Sequence, residues 1–373
     1  MNAPTLGIAV IGAGRIGSLH ARHLRGAVEG ARLVMVVDAD LDVARRAAGP
    51  AASDSTAAGA VATTTNYAAA LDDAAVDAVV IASPTDLHAD QLAAAAAAGK
   101  ALFCEKPVAH GLSATMAALR SVREAGVPFQ IGFNRRFDPA YAAVGAAVAA
   151  GEIGAVELFR SQSSDPGPAP ESYIAASGGF FRDSVIHDID SARFIAGEVR
   201  RVTALGRVLV DDVYRRHEDV DTSVVTLEFD GGALGVLMNS RRTLYGHDLR
   251  LEVHGSKGKL VAEDERATKL WRYDGKGVHG DFYYHFLERF KDAYRLELQA
   301  FVDAVLAGSD PTPGIVDAVE SLRVAEAAGL SLERGRPVDL AEVAIEDWAA
   351  APRSTGPSTG PSPGLSSRPE TAP

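Results

Sequence analysis

Short apolar runs recur through the first third of the chain, each followed by a segment with helical spacing. LGIAVIG (from residue 6), ARLVMVVDAD, DAVVIASP, KALFCEKP and VPFQIGFN (Val127 to Asn134) are near-continuous apolar stretches. Helical stretches such as RIGSLHARHL and HADQLAAAAAAG separate them. Strands that are apolar throughout, rather than alternating, are buried on both faces. The first part therefore predicts a parallel sheet covered by helices on each side.

From about residue 131 the pattern changes. VTALGRVLV, DTSVVTLEFDGGALGVLMNSRR and DLRLEVHGSKGKLVAED read as longer strands, with hairpin turns at Asp230-Gly231-Gly232 and Gly255-Ser256-Lys257-Gly258. Helices are predicted over Pro139 to Ala150, Ser184 to Ala196, Phe282 to Ala307 and Val316 to Glu333. The expected fold is α/β. An N-terminal Rossmann-type domain spans 1–131, and a C-terminal α+β domain with a large open, mostly antiparallel sheet spans 132–345. The stretch 350–373 is Pro, Gly, Ser and Thr with one leucine, too polar to offset its ordering entropy, and is expected to be disordered.

Gly12-Ala13-Gly14-Arg15-Ile16-Gly17 fits G-x-G-x-x-G. The pattern is weak alone, but here it ends an apolar strand and opens a helix, the context a pyrophosphate site requires. Gly12 permits the tight turn, Gly14 lets the backbone approach the phosphates at the helix N-terminus, and Gly17 lets helix and strand pack closely. Arg15 and Ile16 complete that loop. Asp38 ends the second strand, 21 residues after Gly17. A carboxylate there accepts both ribose hydroxyls and repels a 2'-phosphate, so NAD is expected over NADP. Ser83, Thr85 and His88 follow the DAVVIASP strand, where the loop should border the cofactor. For His88 a plain solvent-facing position at a helix start is the competing reading, and His20 and His23 read as surface residues of the first helix.

Glu105 and Lys106 end another parallel strand, so Lys106 should point into the same crevice; Pro107 restricts its backbone and aims the side chain. In the second domain Asp183 and His187 stand four residues apart on a predicted helix and can hydrogen-bond or share a ligand. Asp183 alone would read as a helix cap, and His187 alone as a core histidine. A metal held by Asp183, His187 and Asp190 is set aside, because no recognisable ligand spacing accompanies them. Oxidation of a secondary alcohol by NAD needs a base for the hydroxyl proton and a donor for the developing alkoxide. His187 suits the first and Lys106 the second, with Asp183 orienting the imidazole. Asp188 and Asp190 are left as structural residues, with Arg193 or a neighbouring loop as candidate partner.

The formal net charge of -12 argues against nucleic acid and anionic membrane as partners. The single cysteine, Cys104, excludes an internal disulfide and fits a reducing cytoplasm. No signal peptide is expected, since the N-terminus lacks a basic segment before its apolar run.

GAGRIG, SPTDLHADQ, GKALFCEKP, GFNRRFDP and the D-x-x-x-H-D of Asp183 to Asp188 resemble the glucose–fructose oxidoreductase, inositol dehydrogenase and rhizopine-catabolism (Gfo/Idh/MocA) family, over residues 6 to about 340. SSDPGPAPESYIAASGGFF, NSRRTLYGHDLRLEVHGSKG and HFLERFKDAY are most similar to its members that act on inositol. The resemblance implies Lys106, Asp183 and His187 as the catalytic set, with Arg135, Asp165 and Tyr245 joining them around the substrate. It implies oxidation of a secondary hydroxyl of a cyclic polyol or sugar, myo-inositol to its 2-keto derivative, and a homotetramer assembled through the open sheets. Asn134, Ser164 and Arg182 stand where the family carries methionine, arginine and an apolar residue. Another inositol isomer or a pyranose sugar therefore stays open as substrate, as does a non-catalytic dinucleotide-binding regulator.

Overall fold

The computed structural model describes residues 4–49, 60–263 and 265–345; the Pro/Gly/Ser/Thr tail lies outside them. Six parallel strands form the first sheet: β1 (Leu6–Ile11), β2 (Ala31–Val37), β3 (Ala62–Thr64), β4 (Ala78–Ile81), β5 (Ala101–Glu105) and β6 (Phe129–Gly132). Their order is β3-β2-β1-β4-β5-β6, with every pair parallel. Helices α1 (Arg15–Leu24), α2 (Leu41–Ala48), α3 (Tyr67–Asp72), α4 (Thr85–Ala97) and α5 (Leu112–Ala125) connect them. β3 is three residues long, too short to leave an apolar run, and the sequence reading missed it. The order reverses between β1 and β4, which opens a crevice at the carboxyl ends of those strands. The glycine loop, Ser83 and Lys106 all follow strands that end there.

The second domain carries α6 (Pro139–Ala149), β7 (Val156–Ser164), α7 (Glu171–Ala176), α8 (Ile186–Ala196), β8 (Val199–Arg207), α9 (Val213–Arg216), β9 (Thr222–Phe229), β10 (Leu234–Ser240), β11 (Asp248–Gly255) and β12 (Gly258–Ala262). β13 (Arg266–Asp274) and β14 (Gly277–Phe282) form a separate hairpin, followed by α10 (Phe286–Arg289), α11 (Lys291–Leu306), α12 (Ile315–Arg334) and β15 (Val338–Asp339). The large sheet runs β12-β11-β7-β10-β9-β8-β15. Only β7 and β10 pair in parallel, so the sheet is mostly antiparallel as expected. Both predicted hairpin turns are present, between β9 and β10 and between β11 and β12.

One face of this sheet packs on α8 and α12 through Ile189, Ala192, Val324 and Ala328 against Val202, Val225, Leu227 and Leu237. The other face leaves Leu158, Leu205, Val224, Leu234 and Val261 exposed. The cores do not divide at residue 131. Leu298, Phe301 and Val302 of α11 join Ile8, Val10 and Phe103 in the first core, and Ala318, Val319 and Leu322 of α12 pack with Leu119 and Ile131. The chain returns because the outer face of a parallel sheet must be covered, and these late helices cover it.

Candidate active site

A cavity of about 710 Å³ lies where the strand ends of the first domain face α8 and β10. Arg15, Ile16, Ser83, Thr85, His88, Glu105 and Lys106 line it from the first domain, and Arg135, Asp165, Asp183 and His187 from the second. Gly12, Gly14 and Asp38 lie outside that lining, in the loop and strand end beside it.

The glycine loop fits a dinucleotide. Gly12 has φ of +86°, and a Cβ there would meet the Ser83 backbone at 2.5 Å. A Cβ on Gly17 would lie 1.8 Å from the Gly12 carbonyl oxygen, so only glycine allows α1 to start this close to the strand. Gly14 has open space around its Cα and caps α1 without a side chain, leaving first-turn N–H groups for a pyrophosphate. Asp38 accepts from the backbone N–H of Ala13 at 2.7 Å and of Asp40 at 3.0 Å. These bonds orient the carboxylate at the end of β2 and leave acceptor sites for ribose hydroxyls.

His88 is buried rather than solvent-facing. Its ring nitrogens lie 2.8 Å from the Ser83 carbonyl and 2.9 Å from the Pro107 carbonyl. Burial lowers its pKa despite both carbonyls, and a neutral imidazole donates to only one of them. It joins the end of β4 to the turn that carries Lys106. His20 is also fully buried, with Nε2 2.7 Å from Glu105 Oε1, and His23 is partly buried with its pKa lowered to about 4 by burial and the neighbouring His20. His20 is thus a core residue rather than the expected surface one, and His23 is half-buried. Gly17, His20, Ala21 and Leu24 form one buried stripe on α1.

Lys106 Nζ donates to the Asp183 carbonyl at 2.6 Å and to Asp183 Oδ1 at 3.2 Å. The chain at Phe181–Val185 is a π turn before α8, an irregularity that recurs at functional sites. Asp183 does not hydrogen-bond His187, contrary to the expected orienting role. Its Oδ1 accepts from Lys106 and from the Tyr173 hydroxyl at 2.7 Å, and its Oδ2 from Arg241 at 2.8 Å. Burial alone would push the Asp183 carboxyl up, but Lys106 and Arg241 hold it well below the usual carboxylate range. His187 has a fully buried Nδ1 with no partner among the described residues. Burial, then Lys106 and Arg135, hold its imidazole well below the ordinary pKa, so it is neutral at working pH.

Arg135 is buried and donates to Asp188 at 2.9 Å and to Ser163 Oγ at 2.9 Å. Asp188 also takes bonds from Ser161 and Ser163 at Oδ1 and from Asn239 at Oδ2, so both oxygens of this interior carboxylate are satisfied. Asp190 pairs in two-pronged fashion with Arg136, at 2.7 and 2.9 Å. Arg193 instead takes Glu198, so of the two expected partners of Asp190 it is a neighbouring connecting segment, through Arg136, that holds it. Asp165 pairs with Arg241 at 2.8 Å and His247 at 3.4 Å; against burial, these partners bring its pKa down to about 2.

Tyr245 is not brought to the cavity. It is 54% exposed and bonds Asp248, while His247, two residues on, lines the wall in its place. Arg182 points to Glu326, at 2.6 and 2.9 Å, in a second cavity, away from the substrate position considered for it. Asn134 is buried and does line the site, whereas Ser164 does not. Sequence reasoning missed Arg241, Tyr173, His247 and Tyr294, which line the cavity. Only Arg241 left a signal, as one of two arginines ending an apolar strand, where a charge has to find a partner.

Residues 6–133 match the oxidoreductase family with an NAD-binding Rossmann fold, and residues 141–261 match the GFO/IDH/MocA C-terminal domain. The chain is 40% identical to an inositol 2-dehydrogenase of Rhizobium meliloti, over 90% of this chain and all of that one. It is 39% identical to a scyllo-inositol 2-dehydrogenase (NAD(+)) of Bacillus subtilis, over 89% of this chain and 95% of that one. A crystal structure of a myo-inositol dehydrogenase from Corynebacterium glutamicum superposes with a TM-score of 0.85 at 37% identity, covering 90% and 99% of the two chains. No helix among the described residues is long and apolar enough to cross a membrane. With both halves matched and the glycine loop shaped for a pyrophosphate, the chain belongs to the GFO/IDH/MocA family of oxidoreductases and is an NAD-dependent dehydrogenase.

Proposed function

We propose that the protein oxidises a secondary hydroxyl of a cyclic polyol, myo-inositol to 2-keto-myo-inositol, with Lys106, Asp183 and His187 as the catalytic set. The observation that carries this reading is the meeting of a buried, neutral imidazole and a carboxylate-held lysine on one cavity wall.

NAD, when bound along the glycine loop and Asp38, supplies the hydride acceptor. The remaining work falls to the side chains. His187 Nε2 takes the hydroxyl proton, because the ring is neutral and its other nitrogen is buried away from the cavity. Lys106 spends two N–H groups on Asp183 and keeps a third for the reacting oxygen as negative charge develops there. Asp183 holds the lysine in place and, as a nearby anion, favours the imidazolium that forms. Arg135, Asp165 and His247 offer both donors and acceptors to the other hydroxyls of a polyol ring.

The names of the relatives divide between myo- and scyllo-inositol, and Asn134 lines the cavity where the family carries methionine. The deciding experiment is NADH formation with myo-, scyllo- and chiro-inositol, glucose and levoglucosan, each with NAD and NADP. Turnover of myo-inositol with NAD is expected to lead. No turnover of any inositol removes the substrate assignment and leaves the reaction class standing.

We also infer a homotetramer built through the large sheets. Leu205, Val224 and Leu234 lie on the face that α8 and α12 leave open, and contiguous apolar surface of this kind marks an interface. Buried Cys104 fits the cytoplasm.

A further inference from the structure

Behind the cofactor side of the cavity, side chains from three elements meet inside the first domain. Glu105 ends β5, His20 lies on α1 and Glu297 on α11, and their nitrogen and carboxylate oxygen atoms all lie within 4.8 Å of one another. His20 and Glu297 are wholly buried, while Glu105 also lines the cavity. His20 Nε2 serves Glu105. Among the described residues no donor reaches either carboxyl oxygen of Glu297.

An interior carboxylate without a donor is costly, and two carboxylates side by side repel as well. One shared proton removes both penalties: the protonated acid becomes a donor, and its neighbour is the acceptor. The groups facing Glu297 are Glu105 on β5, His20 on α1 and Tyr294 on α11. Gln130 on β6 is uncharged and gives its amide to the Glu297 main-chain carbonyl at 3.0 Å. Burial, then the charge of Glu105, push the Glu297 carboxyl well above the ordinary range.

We propose that Glu297 is a neutral carboxylic acid that shares its proton with Glu105 and thereby positions Glu105 against the nicotinamide half of NAD. Glu297 lies outside the cavity lining and is a positioning residue, acting only through Glu105. Loss of the shared proton at alkaline pH puts two charges together and drives Glu105 from its place. The effect on NAD rests on the reading of the cavity as a cofactor site, but the proton itself does not.

Two measurements separate these parts. Infrared spectra of the full-length protein at neutral pH should show the C=O stretch of a protonated carboxyl that shifts in D2O and is absent in Glu297→Gln. If that variant does not fold, titrating the wild type to alkaline pH should bleach the band instead. NAD affinity, followed by protein fluorescence quenching, should fall with rising pH in the wild type by about tenfold, the worth of one charge-assisted hydrogen bond. In Glu297→Gln, whose amide still donates, it should stay level. Absence of the band overturns the proposal, as does a stoichiometric metal ion in the purified protein by elemental analysis. A band whose loss leaves NAD affinity unchanged overturns the positioning of Glu105. Failure of the wild type to bind NAD at all removes the cofactor reading, while the infrared result still decides the proton.

Discussion

Arg241 is the residue whose removal tests the electrostatics of the site most directly. Its Nη1 meets Asp165 and its Nη2 meets Asp183, both at 2.8 Å, and its guanidinium lies 5.0 Å from the centre of the Phe180 ring. The side chains of Arg241 and Asp183 are 11% and 6% exposed, so solvent screens this pair little. Breaking a buried pair by removing one partner costs about 3–5 kcal/mol. Here Asp183 keeps Lys106 and Asp165 keeps His247, and a methionine fills much of the vacated volume. Arg241→Met should therefore lie at the low end, about 3 kcal/mol at neutral pH, a loss of roughly a hundredfold in the folding constant. The acid dependence follows in sign. Because the folded pKa of Asp183 is depressed, its stabilisation is fully present above the unfolded value of about 3.9 and is lost as pH falls toward the folded value. The deficit of the variant should shrink below about pH 4, where the unfolded carboxylates take up protons. Urea unfolding followed by circular dichroism, on wild type, Arg241→Met, Asp183→Asn and the double variant, closes a cycle whose coupling should be about 2 kcal/mol. Coupling under about 0.5 kcal/mol, or a deficit unchanged in acid, would refute the view that Arg241 serves chiefly to hold these two carboxylates.

Because burial and Lys106 keep the His187 imidazole well below its ordinary pKa, the base is already free at neutral pH. The acid limb of kcat/KM should thus lie below about pH 6.5, and His187→Ala should cost about 10²–10⁴ in kcat at pH 7. Asp38→Ala removes the acceptor for the adenosine ribose and unties the Ala13 amide. KM for NAD should rise by about ten- to a hundredfold while NADP is affected less, as measured by initial rates with each cofactor. A glutamate at Leu205 or Leu234 places charge on the open sheet face and should shift sedimentation toward smaller species without unfolding the monomer.

The parts of the molecule legible in the sequence were those written locally. The glycine loop, Asp38 and Lys106 each sit at the end of an apolar run, so the run fixes the strand and the strand fixes the position. Asp183 and His187 were legible as a pair, but their relation was not. The π turn at Phe181–Val185 shifts the helical phase, and partners outside the helix, Tyr173 ten residues before and Arg241 on a distant strand end, occupy the carboxylate that spacing alone would give to the histidine. Tyr245 and His247 lie close together at the start of β11, and the turn around Gly246, with φ of +128°, puts the histidine rather than the tyrosine on the wall. His20 was misread although its signal was present. Gly17, His20, Ala21 and Leu24 recur at the spacing of a buried helical face, and the polarity of the side chain outweighed its position.

The ion pairs around Lys106, Arg135 and Arg241 are arranged so that a proton can move at His187 while theirs stay in place. Lys106 and Arg241 are held by Asp183, Arg241 again by Asp165, and Arg135 by Asp188. Each of these three cations has an anion within hydrogen-bonding distance, and each of those anions accepts from at least two donors. Such pairs change protonation only at large cost, because either partner would then be buried alone. His187 stands apart. Its ring has no hydrogen-bond partner at Nδ1 among the described residues, and burial, then the cations around it, hold it neutral. In the proposed reaction Asp183 favours the imidazolium formed on His187 and offsets part of the repulsion from Lys106 and Arg135, and the oxygen left behind gains from Lys106. Charge therefore shifts between groups a few ångströms apart, with little reorganisation of the wall, which is the condition under which preorganised dipoles and charges lower a barrier most. A metal in place of the lysine would do the same for the oxygen, but Asp183 is already committed to two cations and Asp190 to Arg136, so the helix that spacing made a candidate ligand set has no carboxylate left to offer one.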